Sequence, residues 1–508
     1  MSAIPLPDAV DTLVVGGGLA GLAVAAELDR AGAGDGTAVL ESGPDAGAAH
    51  NRWAHDEADA QRRWLHPEHD PHTWRPWTTG GPEFAGMAAL RRRVGGRSLY
   101  WHGILLPIEP WALTGPDWPA EIVHDLVGSW QGGPGLYERV NAELAAWAGP
   151  DATGFAAGPI LRIGDYTFTE VPKAIRRHPR LPRRWRAYTP LDHWTTDRGH
   201  GSPPAPIHPD SHTVGVLLDG DRAVGVRVRR GGTETDVAAR RVVLAAGAIE
   251  NARLAVQALS ATGGFTEPAL PGLVDKVDQG FVVACAANRL PGEVVSLARR
   301  GALLFTPCPD GLRSNLFLNI RLNAAGAVLI TVSVMGEQHR AESGRVRCLP
   351  TGRWPWQTTV TTPEGPKDRA LAQEQQAELH RIWRTLHVHL NLPPRALAFD
   401  PGYATPRSAH RLTAFDHIAH DAGPLPYALP RGSQQHDAGT TPLGTLLDGD
   451  HQFRDIPGLY VAGPSAFPRT GAANPTLTTL ALAKRLAATL AATSASATSA
   501  SAGALAAV

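Results

Sequence analysis

The stretch DTLVVGGGLAGLAVAAELDRAGAGDGTAVLESG, Asp11 to Gly43, constrains the fold more than any other part of the chain. Its apolar run from Leu13 to Val15 predicts a strand, the glycines a tight turn, Leu19 to Ala31 a helix, and Ala38 to Leu40 a second strand ending at Glu41. Gly16 permits the turn, Gly18 lets backbone approach a pyrophosphate, and Gly21 allows the helix to lie close on the strand. The helix N-terminus then faces phosphate. Glu41, 20 residues beyond Gly21, stands where a carboxylate accepts ribose hydroxyls. Such a unit holds the ADP half of FAD or NAD alike, so the redox chemistry must be read elsewhere.

Three other segments bear on it. RRRVGGRSLYWHGILLPIEP, Arg91 to Pro110, carries a Gly95-Gly96 step that is either a point of backbone approach to a flat ligand or an ordinary turn. The stretch from Thr213 reads as strand, turn, strand, turn, strand, with Asp219-Gly220 and Gly231-Gly232 at the turns. It ends in VVLAAGAIENARLAVQAL, a buried strand, a turn at Ala246-Gly247 and a helix from about Glu250. Finally, IPGLYVAGPSAFPRTGAANPTLTTLALAKRL gives a strand at Leu459 to Ala462, a turn at Gly463-Pro464, and a nearly all-apolar helix that must be buried. Asn474-Pro475 suits the start of that helix, as N-cap and first helical residue.

Composition narrows the partners. The chain has 508 residues, enough for two large domains, and its 48 basic and 48 acidic residues cancel without long blocks of either sign, which argues against nucleic acid. Cys285, Cys308 and Cys348 form no paired spacing, so a disulfide framework is not expected. The N-terminus lacks a basic region followed by a signal-length apolar run, and no stretch has a membrane-spanning length, so a cytoplasmic protein is expected. The low-complexity Ser/Ala tail, 492–508, reads as disordered.

The four segments, in this order, resemble the glucose–methanol–choline (GMC) oxidoreductases, a family of FAD enzymes, and are most similar to its pyranose oxidase and sugar dehydrogenase branch. The resemblance implies an α/β Rossmann-like FAD-binding domain with an inserted substrate domain built on an antiparallel sheet backed by helices. The first would comprise 1–50, 78–135, 205–262 and 432–491, the second 136–204 and 263–431, and 51–77 would form a Trp-rich loop or lid. FAD would be held by Gly16, Gly18, Gly21, Glu41, Gly95, Gly96, Ser98, Ala246, Gly247, Gly463, Pro475 and Thr476. Flavin-linked members carry a histidine just before the tryptophan of the GGRSLYWHG loop. Tyr100 stands there, and His102 is displaced by two residues, so non-covalent FAD is expected.

Resemblance also implies the reacting groups. His436 begins an H-x-x-G-T pattern typical of the family's base, although Pro442-Leu443 replaces the usual Arg-Met, and Asn474 would be its partner. A neutral imidazole suits removal of a hydroxyl proton while hydride leaves carbon for flavin N5, and an amide can orient the same oxygen. The expected reaction is oxidation of an alcohol on a sugar, polyol or hydroxylated natural product, with oxygen or another acceptor. A lyase or isomerase on the same fold and a non-catalytic flavin-binding protein are the alternatives. His451 reads as a surface-turn histidine, and His410, His417 and His420 lack the acids or cysteines of a metal site. Trp53, Trp64, Trp74 and Trp77 either stack on a sugar or anchor their loop. A helix after Pro366 should carry Glu374, Glu378 and Arg381 on its polar side.

Overall fold

The computed structural model describes residues 4–80, 84, 88–155, 158–181, 184–195, 205–263, 265, 267–308, 311–340, 344–399 and 415–505. The fingerprint folds as its spacing dictates. Strand Ala9–Val15 runs parallel to Thr37–Leu40 on one side and to Thr233–Leu244 on the other. Helix Leu19–Arg30 makes the crossover. Ile207–His208 closes one edge in parallel, and Leu459–Val461 adds a further parallel strand beside Val242 to Leu244. The first half of Thr233–Leu244 instead pairs antiparallel with Arg222–Arg230, and that strand with His212–Asp219.

The carboxyl ends of four parallel strands, at Val15, Leu40, Leu244 and Val461, therefore sit side by side. Ligands of open parallel sheets bind outside such ends. Gly21 makes the arrangement possible, because a Cβ there would lie 2.0 Å from the carbonyl oxygen of Gly16.

A second, seven-stranded sheet is wholly antiparallel. Its order is Ala422–Leu429, Lys276–Cys285, Val328–Glu337, Ser314–Leu322, Ala302–Pro307, Tyr166–Glu170 and Pro159–Ile163. Alternating residues such as Phe281, Val283, Leu316, Leu318 and Val332 bury one face against helices Pro366–His389 and Gly292–Arg300. This is the inserted sheet backed by helices that the sequence predicts. Glu378, expected on the polar side of the long helix, is instead buried, where its Oε1 accepts the Tyr166 hydroxyl at 2.7 Å and the Arg381 guanidinium is its ion partner. Charge alone misplaced it, since a buried carboxylate is stable when so bonded.

Boundaries differ from the sequence reading in four places. Helix Leu136–Ala148, assigned to the inserted domain, packs in the first core, and its Tyr137 hydroxyl lies 2.9 Å from Thr478 Oγ1 of the closing helix. Ala269–Leu273, Gly344–Leu349 and Gln357–Thr361 form a separate small sheet with Trp77–Thr79, and its Leu270, Val346 and Val360 also join that core. The Trp-rich segment is not a plain loop. It holds two short helices, Asn51–Ala54 and Glu57–Leu65, with Trp77 buried in the core. The closing helix spans Thr476–Leu505, so the tail read as disordered continues it up to Leu505. Once the buried turns from Leu477 to Leu490 have nucleated the helix, extending it through alanines adds one bond per residue fixed. No helix among the described residues is long and apolar enough to cross a membrane.

Replacing Gly21 with alanine should force the helix off the sheet, lowering stability by about 1–3 kcal/mol, measurable as a fall in the thermal midpoint. An unchanged midpoint would show that the contact with Gly16 relaxes at no cost.

Candidate active site

A cleft of about 330 Å³ opens along the carboxyl ends of the parallel strands. Of the sequence-predicted residues, Gly16, Gly18, Glu41, Gly96, Ser98, Ala246, Gly247, Gly463, Pro475 and Thr476 line it, together with His436 and Asn474. Gly21 and Gly95 do not. Gly21 packs helix on strand, while the Gly95 N–H donates to Gly17 O at 2.8 Å and braces the fingerprint turn from outside. The Gly95-Gly96 step thus approaches the first turn: a Cβ on Gly96 would come 3.1 Å from Gly18 Cα.

The lining fits a dinucleotide. A Cβ built on Gly18 meets no atom within 4 Å, so the space above it is open to a ligand, whereas one on Gly16 or Gly21 would strike backbone. Glu41 is buried at the end of its strand; it accepts Gly17 N at 3.0 Å and Gly43 N at 2.8 Å, and burial pushes its carboxyl up to about 7. At the same end, Glu250 Oε1, Thr213 Oγ1 and His212 Nε2 are buried without partners among the described residues. Buried polar atoms of this kind want a hydrogen-bonding ligand. The N-termini of helices Leu19–Arg30, Ala248–Ala261 and Thr476–Leu505 all reach the cleft, each favouring negative charge.

Trp64 and Trp74 also line the cleft, and sequence reasoning missed Arg92, Trp101, His212 and Gln434 there. Trp64 and Trp74 belong to the segment in which stacking and anchoring were both open, and Trp77 takes the anchoring role. Asn251 was missed as well, although it lies inside a quoted motif. Fully buried, it receives Ala246 N at 2.8 Å and donates to Ser465 Oγ at 2.8 Å, tying two of the lining turns together.

At the other end of the cleft, Asn474 Nδ2 stands 3.2 Å from His436 Nε2. Asn474 does not cap its helix. The first helical bond runs from Thr479 N to Pro475 O, which makes Pro475 the N-cap, and Asn474 Oδ1 has no partner among the described residues. The helix begins one residue later than the sequence suggested, and that frees the amide to turn toward the histidine. Burial, with the cations Lys276 and Arg97 nearby, holds the His436 imidazole well below its usual pKa and so neutral. His436 Nδ1 is also without a partner among the described residues.

Both side chains ride on loops gripped by buried charges. Asp275 Oδ2 accepts Gly432 N at 2.5 Å and its Oδ1 accepts His436 N at 3.2 Å, while Arg97 donates to Asp437 at 2.6 Å. Between them Gln435 sits at a left-handed φ of 55°, a strain of about 1–3 kcal/mol for a side-chain-bearing residue that the clamp must sustain. On the second loop, Lys276 Nζ donates to Gly471 O at 2.6 Å, Glu337 Oε1 accepts Thr470 N and Gly471 N at 3.1 and 2.9 Å, and Glu109 accepts Ala472 N at 2.8 Å. Asp275 and Lys276 are consecutive, so one dipeptide grips both loops.

Other histidines sort by position. His451 is not a surface residue: it is 1% exposed, its Nδ1 lies 3.2 Å from Val461 O, and burial drives it down to about 3. It does not line the cleft. Tyr100 is buried beneath the Arg91 guanidinium, 4.9 Å from its ring centre, and does not line the cleft, whereas His102 does. His410 lies outside the described residues. No group of three or more metal-ligating side chains occurs among the described residues. All three cysteines are free.

Comparison with known proteins agrees with this fold. A family model described as GMC oxidoreductase matches residues 342–483, and one described as NAD(P)-binding Rossmann-like domain matches 14–82. Over 66 residues the chain is 46% identical to a C-glycoside 3-oxidase of Arthrobacter globiformis and 41% identical to one of Microbacterium trichothecenolyticum. Each match covers 12% of this chain and 13% of the relative's length. The whole chain superposes on pyridoxine 4-oxidase from Mesorbium loti with a TM-score of 0.62 at 19% identity, covering 94% of this chain and 99% of that one. A formate oxidase variant from Aspergillus oryzae RIB40 gives 0.62 at 15%, covering 96% and 99%. The chain thus carries a Rossmann-like dinucleotide-binding segment followed by a GMC oxidoreductase segment, on a fold that it shares with these two oxidases.

Proposed function

We propose that the protein holds FAD non-covalently along the cleft and oxidises an alcohol of a sugar, polyol or hydroxylated natural product to a carbonyl. The single observation that carries the reading is the 3.2 Å contact between His436 Nε2 and Asn474 Nδ2 in the cleft wall. Two groups so placed can share one substrate oxygen. Gly18 and the N-terminus of Leu19–Arg30 would cradle the pyrophosphate, Glu41 would accept the ribose hydroxyls, and the N-terminus of Thr476–Leu505 would face the flavin ring. FAD, when bound, supplies the acceptor for the hydride. Tyr100, standing where flavin-linked members carry histidine, is turned into the core, which supports non-covalent binding.

In this reading His436 Nε2 takes the hydroxyl proton, for which a neutral imidazole is required. Asn474 Nδ2 donates to the same oxygen and fixes the carbon-bound hydrogen in one direction. The bond now joining the two side chains would open to admit the hydroxyl. Asp275 and Lys276 keep the loops from drifting as it does so. Each relative or neighbour named above is called an oxidase, which favours oxygen as the final acceptor.

Anaerobic mixing of the FAD-loaded protein with a panel of sugars, polyols and simple alcohols tests the reading: at least one should bleach the flavin. Bound FAD that no member of the panel bleaches would point to a non-redox role. With an active substrate, His436→Ala should retain FAD and slow bleaching by roughly two to four orders of magnitude. Since the imidazole stays neutral well below its ordinary value of 6.5, the bleaching rate should not fall as pH drops through that value and should be lost only at lower pH. An inflection at 6.5 would contradict the buried geometry. Gly18→Ala should leave the fold intact yet weaken FAD retention, because its methyl enters open cleft rather than protein. Equal FAD content after gel filtration would place the pyrophosphate elsewhere.

A further inference from the structure

Behind His102 and Ile104, which line the cleft, stand two cations that the proposed reaction does not use, Arg52 and Lys173. The strand-like turn Gly103 to Leu105 is bonded to Pro172 to Ala174, with Ala174 N donating to Gly103 O at 2.8 Å and Leu105 N to Pro172 O at 2.9 Å. In this antiparallel bridge Lys173 stands directly opposite Ile104, which lines the cleft. Residues directly opposite each other in an antiparallel pair project from the same face, so the Lys173 side chain leaves on the cleft side. Arg52 comes in from the Trp-rich segment. Its Nη2 lies 3.4 Å from His102 Nε2 and 3.0 Å from Gln61 Oε1, and its guanidinium sits 5.3 Å above the Trp185 ring.

Of the carboxylates nearby, Glu57 acts on Arg52 from beyond ion-pair distance, and three others are held by other arginines. Arg300 holds Glu170, Arg177 holds Asp151, and Arg321 holds Asp416. Among the described residues neither Arg52 nor Lys173 has a carboxylate within ion-pair distance, and the Lys173 ammonium has no hydrogen bond. Both are half-buried. Burial above all, opposed by Glu170 and helped by repulsion from Arg177, Arg300 and Arg52, pushes Lys173 down to about 8. Gathering like charges in a half-buried wall is unfavourable unless something negative arrives.

We propose that the substrate carries an oxyanion, a carboxylate or a phosphate, which docks on Lys173 and Arg52 while its reacting hydroxyl lies at His436 and Asn474. Arg52 presents a planar fork held by Gln61 and the Trp185 face, suited to two oxygens at once. Lys173 adds a mobile point charge from the opposite strand. The inference rests on the proposed alcohol oxidation for the position of the hydroxyl, but the anion site stands on its own residues.

Two measurements separate them. The first is binding, by calorimetry at low salt, of methyl glucuronide, glucose 6-phosphate and the neutral methyl glucoside to the FAD-loaded wild type and to Lys173→Met and Arg52→Met. The anionic compounds should bind at least about tenfold tighter than the neutral one, each variant should shrink that ratio about tenfold or more, and the ratio should fall as salt is added. Comparing the glucuronide with the phosphate shows which oxyanion the fork prefers. The second is anaerobic bleaching by the same compounds. Anion preference that depends on both residues upholds the site even where neither these compounds nor the wider panel of alcohols bleaches the flavin, the result that sinks the oxidation. Bleaching by the neutral glucoside with no anion preference, or a preference unchanged in both variants, overturns the proposal and leaves the oxidation standing.

Discussion

The distance between one histidine and one asparagine, 3.2 Å across the cleft, is the constraint on which the rest of this molecule turns. The two residues lie 38 positions apart on separate loops, and neither loop is a regular element that could hold its own shape. Five ionic side chains do that work, Asp275, Lys276 and Glu337 buried and Arg97 and Glu109 half-buried. Asp275 and Arg97 grip the histidine loop, and Lys276, Glu337 and Glu109 grip the asparagine loop. A buried charge that lost its partner would be destabilising by about 3–5 kcal/mol, so the loops are held by bonds that are costly to break.

The two sheets divide the labour. The parallel sheet ends its strands at the cleft and supplies glycine turns and helix N-termini, features that favour a phosphate-rich ligand whatever its reactive end. The antiparallel sheet starts its strand Lys276–Cys285 at the gripping dipeptide, so the inserted layer helps set the positions of His436 and Asn474. The two loops are gripped from both layers, by Arg97 and Glu109 from segments packed with the parallel sheet and by Asp275, Lys276 and Glu337 from the antiparallel side.

How much of this was legible in the sequence depends on range. The fingerprint was, because its turn, helix and acid fall within Gly16 to Glu41 and each glycine answers a local demand. Gly95 was only half legible: its left-handed φ of 92° was implied by residue type, but its role in bracing the first turn required the fold. Lys276 could not be found, since its partners Thr470 and Gly471 are 194 and 195 residues away. The same holds for Glu378, whose burial depends on Tyr166 from a strand 212 residues earlier. His451 was misplaced because a polar turn was taken for an exposed one, whereas the turn folds back onto the strand Leu459–Val461. Asn474 was ambiguous for a subtler reason: Asn-Pro at a helix start fits two registers, and only the backbone bond from Thr479 to Pro475 selects the one that frees the amide.

The most direct test of the central claim is a crystal structure of the FAD-loaded protein with an alcohol bound under anaerobic, reduced conditions. The account predicts the flavin ring in this cleft and the alcohol oxygen within hydrogen-bond distance of both His436 Nε2 and Asn474 Nδ2. An alcohol oxygen bound away from the pair, with their mutual contact intact, would contradict it.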